Sequence, residues 1–327
     1  MIIERKYYEN QGRKRVICFF MALIMFICGL YSGNYTNNTV EKCYAATKKN
    51  TTNKVSQLYN KLDPVAKGYF DIIINEDKSL YKYHKKYHKK YVKSETSMKK
   101  SALYDVVSEL KELNSDLIAL DIPTSARYAF LAAASGMSVG VADGPLPIAD
   151  IIGAFVAIGA IGILAMEWPE IEKKWPEIEK AFEKCFSNIS TDISKAFSKL
   201  KVKVQDKYYS LQFQNFSKHY AKHAKEFKDM KGGTGKKPSK KEYYNMAKSF
   251  LNKKSNDIIE GKDVENFDRM VKFNKKTLEY LVYEKSSKRI ISYFLPKWTA
   301  YNNGTISSKK EWIKEALEYA LRHISRK

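Results

Sequence analysis

Residues 270–296 read M-V-K-F-N-K-K-T-L-E-Y-L-V-Y-E-K-S-S-K-R-I-I-S-Y-F-L-P. Three runs rich in β-branched and aromatic residues, 270–273, 278–284 and 289–295, are separated by two polar clusters. Asn274-Lys275-Lys276-Thr277 and Ser286-Ser287-Lys288 are turn chemistry, so the stretch predicts three strands in antiparallel order. Pro296 lacks the N–H a ladder needs and ends the third. Upstream, Ser239 has the side chain of an N-cap for a helix over 240–251, with Tyr243, Ala247 and Phe250 inward. Downstream, Trp312, Ala316, Tyr319 and Leu321 mark a last helix over 309–325. Helices flanking a small antiparallel sheet make 201–327 an α+β domain. Gly232-Gly233-Thr234-Gly235 reads as a linker, because the residue order of a P-loop is missing.

The rest of the chain reads as helix. Only 15 Gly and 8 Pro occur in 327 residues, too few for a turn-rich sandwich. Residues 1–45 have the layout of an export signal: Arg5, Lys6, Arg13, Lys14 and Arg15, an apolar run over 16–30, and Cys43-Tyr44-Ala45 before Ala46. The expectation is a secreted protein, with an uncleaved anchor as the alternative. Residues 46–125 form a basic helical region. In it, Val55, Leu58, Tyr59 and Leu62 recur at helical spacing up to a break at Asp63-Pro64. Leu103, Val106, Val107, Leu110, Leu113, Leu117 and Leu120 form a second stripe. Residues 81–91 read Y-K-Y-H-K-K-Y-H-K-K-Y, a basic face carrying His84 and His88. No carboxylate follows at a ligand spacing, so a metal site is not expected there.

Residues 126–166 form an apolar helical hairpin around the turn Asp143-Gly144-Pro145-Leu146-Pro147. Each arm is shorter than the ~20 residues of a membrane span. Two readings stay open: burial in a helical bundle, or contact with a membrane. Gly153, Gly159 and Gly162 would permit close backbone approach in either. A tandem repeat follows, W-P-E-I-E-K-K over 168–174 and W-P-E-I-E-K-A over 175–181. Pro169 and Pro176 suit first helical turns, and Glu170 and Glu177 suit their positive ends. Beyond it, Ile178, Phe182, Cys185, Ile189, Ile193, Ala196 or Phe197, and Leu200 predict a stalk helix to about Leu200. Cys185 falls on this stripe as a core residue. With Cys18, Cys28 and Cys43 in or beside the signal, no disulfide or zinc framework is expected.

Net charge is +22, and residues 201–327 carry 30 Lys and Arg against 14 Asp and Glu. A basic domain of this kind suits a polyanion such as nucleic acid, anionic lipid or wall polymer. At the start of that domain, residues 216–227 read F-S-K-H-Y-A-K-H-A-K-E-F, on a helix expected to run over 209–227. His219 and His223 are one turn apart and share a face, with Lys222 beside them. An imidazole that exchanges protons near neutral pH, next to an ammonium that holds phosphate, is a minimal kit for RNA cleavage without metal.

Residues 222–227, K-H-A-K-E-F, resemble the K-H-A-x-[DE]-F stretch of the colicin D nuclease domain. Phe273-Asn274-x-x-Thr277 and Arg289-Ile290-Ile291-Ser292-Tyr293-Phe294 resemble that family's F-N-x-x-T…F-L-S-G-W hairpin. The match spans about 218–296 and points to the wider group of small metal-free ribonucleases of the barnase, EndoU, colicin and RelE type. The signal and the hairpin with G-P-L-P resemble pre-toxin regions of bacterial polymorphic toxins. The resemblance implies that His223 is the catalytic histidine, that Ser292 touches phosphate and that Phe294 stacks a base. The family's lysine, three before the histidine, is Tyr220 here, with Lys222 and His219 as near substitutes. Arg289, Tyr293 and Thr277 complete the expected substrate contacts. The implied substrate is RNA, with tRNA foremost, and the implied partner is an acidic immunity protein. No cofactor or metal enters the scheme. Two other classes compete: a membrane-active toxin working through 126–166, and a cell-envelope binder working through 81–91.

Overall fold

The computed structural model describes residues 54–55, 57–80, 100–140, 148–187, 193–230 and 235–325. The signal-like segment, the 81–91 repeat with His84 and His88, the 143–147 turn and Gly232–Thr234 lie outside the described residues. Asn50–Lys327 belongs to one unit built on two hydrophobic cores, one wholly helical and one α+β.

The helical core surrounds α3 (Thr124–Gly140), against which α1 (Pro64–Glu76), α2 (Lys100–Ala119), α4 (Ile148–Ala157) and α5 (Ala160–Met166) all pack. Tyr128 to Ala134 of α3 are fully buried. A helix apolar on all sides is stable only when enclosed, and this bundle encloses it. The break expected at Asp63-Pro64 is a helix start. Asp63 Oδ1 accepts the Val65 N–H at 2.8 Å, and Pro64 occupies the first turn of α1.

Among the described residues no single helix is long and apolar enough to cross a membrane. The pair α4 and α5 passes by length and composition but bends by 76°. The bend is at Gly159, whose φ of +81° lies in the left-handed region. Gly153 and Gly162, expected to allow close approach, face open space instead.

Behind α5 the two W-P-E-I-E-K repeats start α6 (Trp168–Ile171) and α7 (Trp175–Cys185), each with proline in its first turn and Glu170 or Glu177 beside it. Their indoles pack at 5.5 Å between ring centres, and Phe182 meets Phe197 at 4.7 Å. Buried rings of this size contribute about 2–3 kcal/mol each. Cys185 is buried as expected, and burial holds its thiol protonated well above the ordinary range. The stalk does not run through to Leu200. It ends at Cys185, and α8 (Ile193–Gln212) begins anew. α8 joins the halves: Ile193 to Val204 lie in the helical core and Tyr209 in the second.

A buried polar cluster ties α1, α2 and α3. Arg127, 5% exposed, donates to Asp77, to Ser79 Oγ at 2.6 Å and to Asn114 Oδ1 at 3.2 Å. Burial works against the Asp77 carboxylate. The hydrogen bonds from Ser79 and Asn114 and the charge of Arg127 outweigh it and hold its pKa below the usual value.

In the second core the helix expected over 209–227 is interrupted. α8 stops at Gln212, Asn215 takes φ +50°, and α9 (Phe216–His223) follows with a 3₁₀ turn (Ala224–Phe227). The cause is tertiary. Phe213 bridges to Ile290, and the Gln214 N–H donates to the Ile290 carbonyl at 2.8 Å. The chain leaves its helix there to cover a sheet edge.

α10 (Lys240–Asn252) has the capping box expected from Ser239, closed by Glu242. Lys240 to Asp206 and Lys241 to Glu172, both 2.7 Å, tie it to the helical half. Five antiparallel strands follow in the order β4-β3-β2-β1-β5: β1 (Ile258–Asp263), β2 (Arg269–Asn274), β3 (Tyr280–Glu284), β4 (Ile290–Phe294) and β5 (Ile324–Ser325). Between β4 and β5 lie α11 (Trp298–Asn302) and α12 (Lys309–His323). Leu281, Tyr283 and Tyr293 face α10, while Tyr280 and Phe294 face α12. The fold class is therefore the expected one: a mainly helical first part and an α+β C-terminal part. β1 and β5 add two strands that the sequence does not announce.

Candidate active site

α9 runs beside the edge strand β4 and presents both its histidines there. His219 and His223 stack at 5.8 Å with 22° between planes. Phe213 lies 5.2 Å beyond His219, and Phe294 lies 5.2 Å beyond His223. Opposite β3, Ser292 pairs with Val282 and Phe294 with Tyr280, so the two share a sheet face about 7 Å apart along the strand. Ser292 is half-buried, and its hydroxyl has no hydrogen-bond partner among the described residues. Lys222 is exposed and without an ion pair among them.

The contact that orders this site comes from Glu226, three residues after His223. Its carboxylate is 5% exposed. One oxygen lies 2.7 Å from His223 Nδ1, and the other accepts the Leu295 N–H at 2.8 Å. An ionised carboxylate can only accept, so the bond places the proton on Nδ1 and leaves the lone pair on Nε2. Nε2 has no protein partner among the described residues, and the side chain remains 11% exposed. An imidazole fixed in ring plane and tautomer by a buried carboxylate, with its other nitrogen free, is a prepared general base. Because Leu295 directly follows Phe294, the same carboxylate also fixes the end of β4 against α9.

The other expected site residues divide. His219 lies against His223, and its imidazole is neutral at neutral pH. Burial, then the charges of His223 and Lys222, lower its pKa to about 4. It stacks on the His223 ring. Tyr293 is fully buried, stacks on Phe227 at 4.6 Å and donates to Glu279 Oε1 at 2.6 Å. It is a core residue and cannot stack a base. Arg289 donates to the Ser210 carbonyl at 3.2 Å. It lies five residues before Phe294, about 16 Å along the strand, and braces the end of α8. Tyr220 donates to the Pro238 carbonyl at 3.0 Å, with Lys237 Nζ 4.2 Å from its ring centre. It is a strut for the start of α10, pointing away from His223.

Thr277 sits on the other side of the sheet, where its hydroxyl donates to Glu279 Oε2 at 2.6 Å. There it lines a cleft of about 580 Å³ with Met230, Glu242, Met246 and Phe250. In this cleft both oxygens of Glu279 are engaged, and no imidazole lines it. Among the described residues no three His, Cys, Asp or Glu side chains gather as a metal-ligand set. Two contributors escaped the sequence. Glu226 had a local signal, a carboxylate three after a helical histidine. The last helix brings Tyr319 to 6.1 Å from Phe294, for which no local signal exists.

No family model, no curated protein and no solved structure matches this chain.

The depressed pKa of His219 has a measurable consequence. The unfolded chain takes up this proton near pH 6.5 and the folded one near pH 4, so the unfolded state binds more protons in between. Stability from this group is complete above pH 6.5 and is lost as pH falls toward 4. His219→Phe keeps the ring and removes the titration. Its melting temperature should fall less than that of the wild type between pH 6.5 and 4, and parallel falls would refute the assignment.

Proposed function

We propose that the C-terminal part is an endoribonuclease that cleaves by transesterification, carried by a secreted bacterial toxin. The observation that supports it best is the Glu226 carboxylate shared between His223 Nδ1 and the Leu295 N–H, at the end of the strand that carries Ser292. In this reading His223 Nε2 takes the proton of a ribose 2′-hydroxyl. The 2′-oxygen forms a bond to phosphorus, the bond from phosphorus to the 5′-oxygen breaks, and the imidazolium returns the proton to that oxygen. Lys222 offsets the charge gathering on the equatorial oxygens, and Ser292 donates to one of them. Phe294 takes the face of an unstacked base, which favours single-stranded loops such as those of tRNA. The basic surface suits RNA as substrate and an acidic protein as the partner that protects the producing cell. The helical half is then the delivery portion, whose α4 and α5 would make any membrane contact.

Glu226→Gln tests the reading at its centre. The two donors address different oxygens, so in the amide one of them faces an NH2 group, which at His223 favours the wrong imidazole tautomer. Cleavage should fall by about 10²-fold or more. In ¹⁵N spectra the wild type should show His223 in the Nδ1–H form, and the variant should leave it. Unchanged cleavage with an unchanged tautomer would refute the role. An RNA with a single 2′-deoxy residue at the cut site should resist the wild type completely.

A further inference from the structure

Phe294 does not end the row of rings that begins at Phe213. On the side away from His223 it meets Tyr280 at 5.0 Å and Tyr319 at 6.1 Å, and Tyr319 meets His323 at 4.4 Å. Tyr280 is 2% exposed and forms the base of this group. Phe294, Tyr319 and His323 are each half-buried. Tyr319 and His323 are one turn apart on α12. The ring of His323 is fixed because its Nδ1 lies 2.8 Å from the Tyr319 carbonyl, a bond that requires Nδ1–H. Three half-buried rings on a rigid base, continuous with the His223 site, form a ledge suited to flat ligands.

Charge orients what the ledge takes. Lys218 and Lys222 project from α9 on the His223 side and are exposed. At the other end burial, and then the charges of Asp263 and Glu265, raise the pKa of Tyr280 and Tyr319, with Arg322 opposing them at Tyr319. Phosphates are drawn to the lysines. Uncharged bases fit the rings between.

We infer that Phe294, Tyr319 and His323 form a stacking subsite for the bases that flank the cleaved phosphate, with the sugar-phosphate strand along the Lys218 and Lys222 side. The inference rests on the ribonuclease reading above and deepens it. The substrate is single-stranded over more than one nucleotide, and the last helix supplies part of its binding surface.

The test uses the full chain and a fluorescent decanucleotide with 2′-O-methyl groups throughout, which binds but has no free 2′-hydroxyl to attack. Loss of one stacked base corresponds to about 5- to 150-fold in affinity. Tyr319→Leu, which keeps bulk without a π-face, should weaken binding within that range. Tyr319→Phe, which restores the π-face, should recover most of the affinity that Tyr319→Leu loses, and melting curves would show that both fold. On unmodified RNA, Tyr319→Leu should raise KM with little change in kcat. Equal affinity of Tyr319→Leu and wild type would overturn the subsite and leave the nuclease reading standing. Normal binding by the wild type with no cleavage of unmodified RNA would overturn the nuclease reading alone. Neither binding nor cleavage by the wild type would overturn both.

Discussion

His223→Ala should lower the rate of RNA cleavage by about 10²- to 10⁴-fold, the range that a positioned general base contributes. The loss is expected to be large because nothing nearby replaces the base. His219 stacks on the same ring but has a pKa of only about 4 and its Nδ1 is buried, so it is a weaker base in a closed position. Alanine also removes the donor to Glu226 and leaves a buried carboxylate oxygen unsatisfied, at about 1–3 kcal/mol. Loss of activity and loss of fold must therefore be separated. His223→Asn does this: its amide nitrogen stands near the place of Nδ1 and can still donate to Glu226, but nothing stands in for Nε2. It should be as inactive as alanine and more stable in urea. Near-wild-type cleavage by a folded His223→Asn chain would remove His223 from the chemistry.

The largest effect on stability is expected far from this site, at Arg127. Its guanidinium is almost wholly buried and serves Asp77, Ser79 and Asn114 together. Arg127→Met fits the apolar surroundings but leaves the part-buried Asp77 carboxylate without its counter-charge. Breaking such a pair from one side costs about 3–5 kcal/mol. Adding Asp77→Asn neutralises the stranded group and should recover a large part of the loss, so the double mutant should be clearly more stable than the sum of the singles. The deficit of Arg127→Met should also shrink in acid. A carboxyl held below its usual pKa contributes stability above the unfolded value of 3.8 and loses it as the pH falls further. Urea unfolding followed by circular dichroism measures both effects. A single mutant within 1 kcal/mol of wild type would show that the cluster is not needed to hold α1, α2 and α3 together.

What the sequence made legible was whatever local chemistry decides. Ser239 and Glu242 set the start of α10, Pro169 and Pro176 the starts of α6 and α7, and the polar clusters at 274–277 and 286–288 the turns of the sheet. What stayed hidden was decided at long range. Nothing local in 209–227 forbids one continuous helix; the break at 213–215 exists because Ile290, some seventy-five residues later, offers a strand edge. β1 reads I-I-E-G-K-D, with glycine and charge where alternation is expected, and it is a strand because β2 and β5 pair with it. The site divides in the same way. His223 and Lys222 could be picked from their spacing. Tyr293 and Arg289 could not be told from their neighbours until the sheet faces were known. The bulge at Val282/Tyr283 resets the alternation along β4, which leaves Ile290 and Tyr293 on the core face.

The most direct test of the central claim is the chemistry of the cut ends. The purified full-length chain, incubated with tRNA in excess EDTA, should produce fragments whose upstream pieces end in a 2′,3′-cyclic phosphate and whose downstream pieces begin with a 5′-hydroxyl. Intact tRNA, or fragments bearing 3′-hydroxyl and 5′-phosphate ends, would contradict the account.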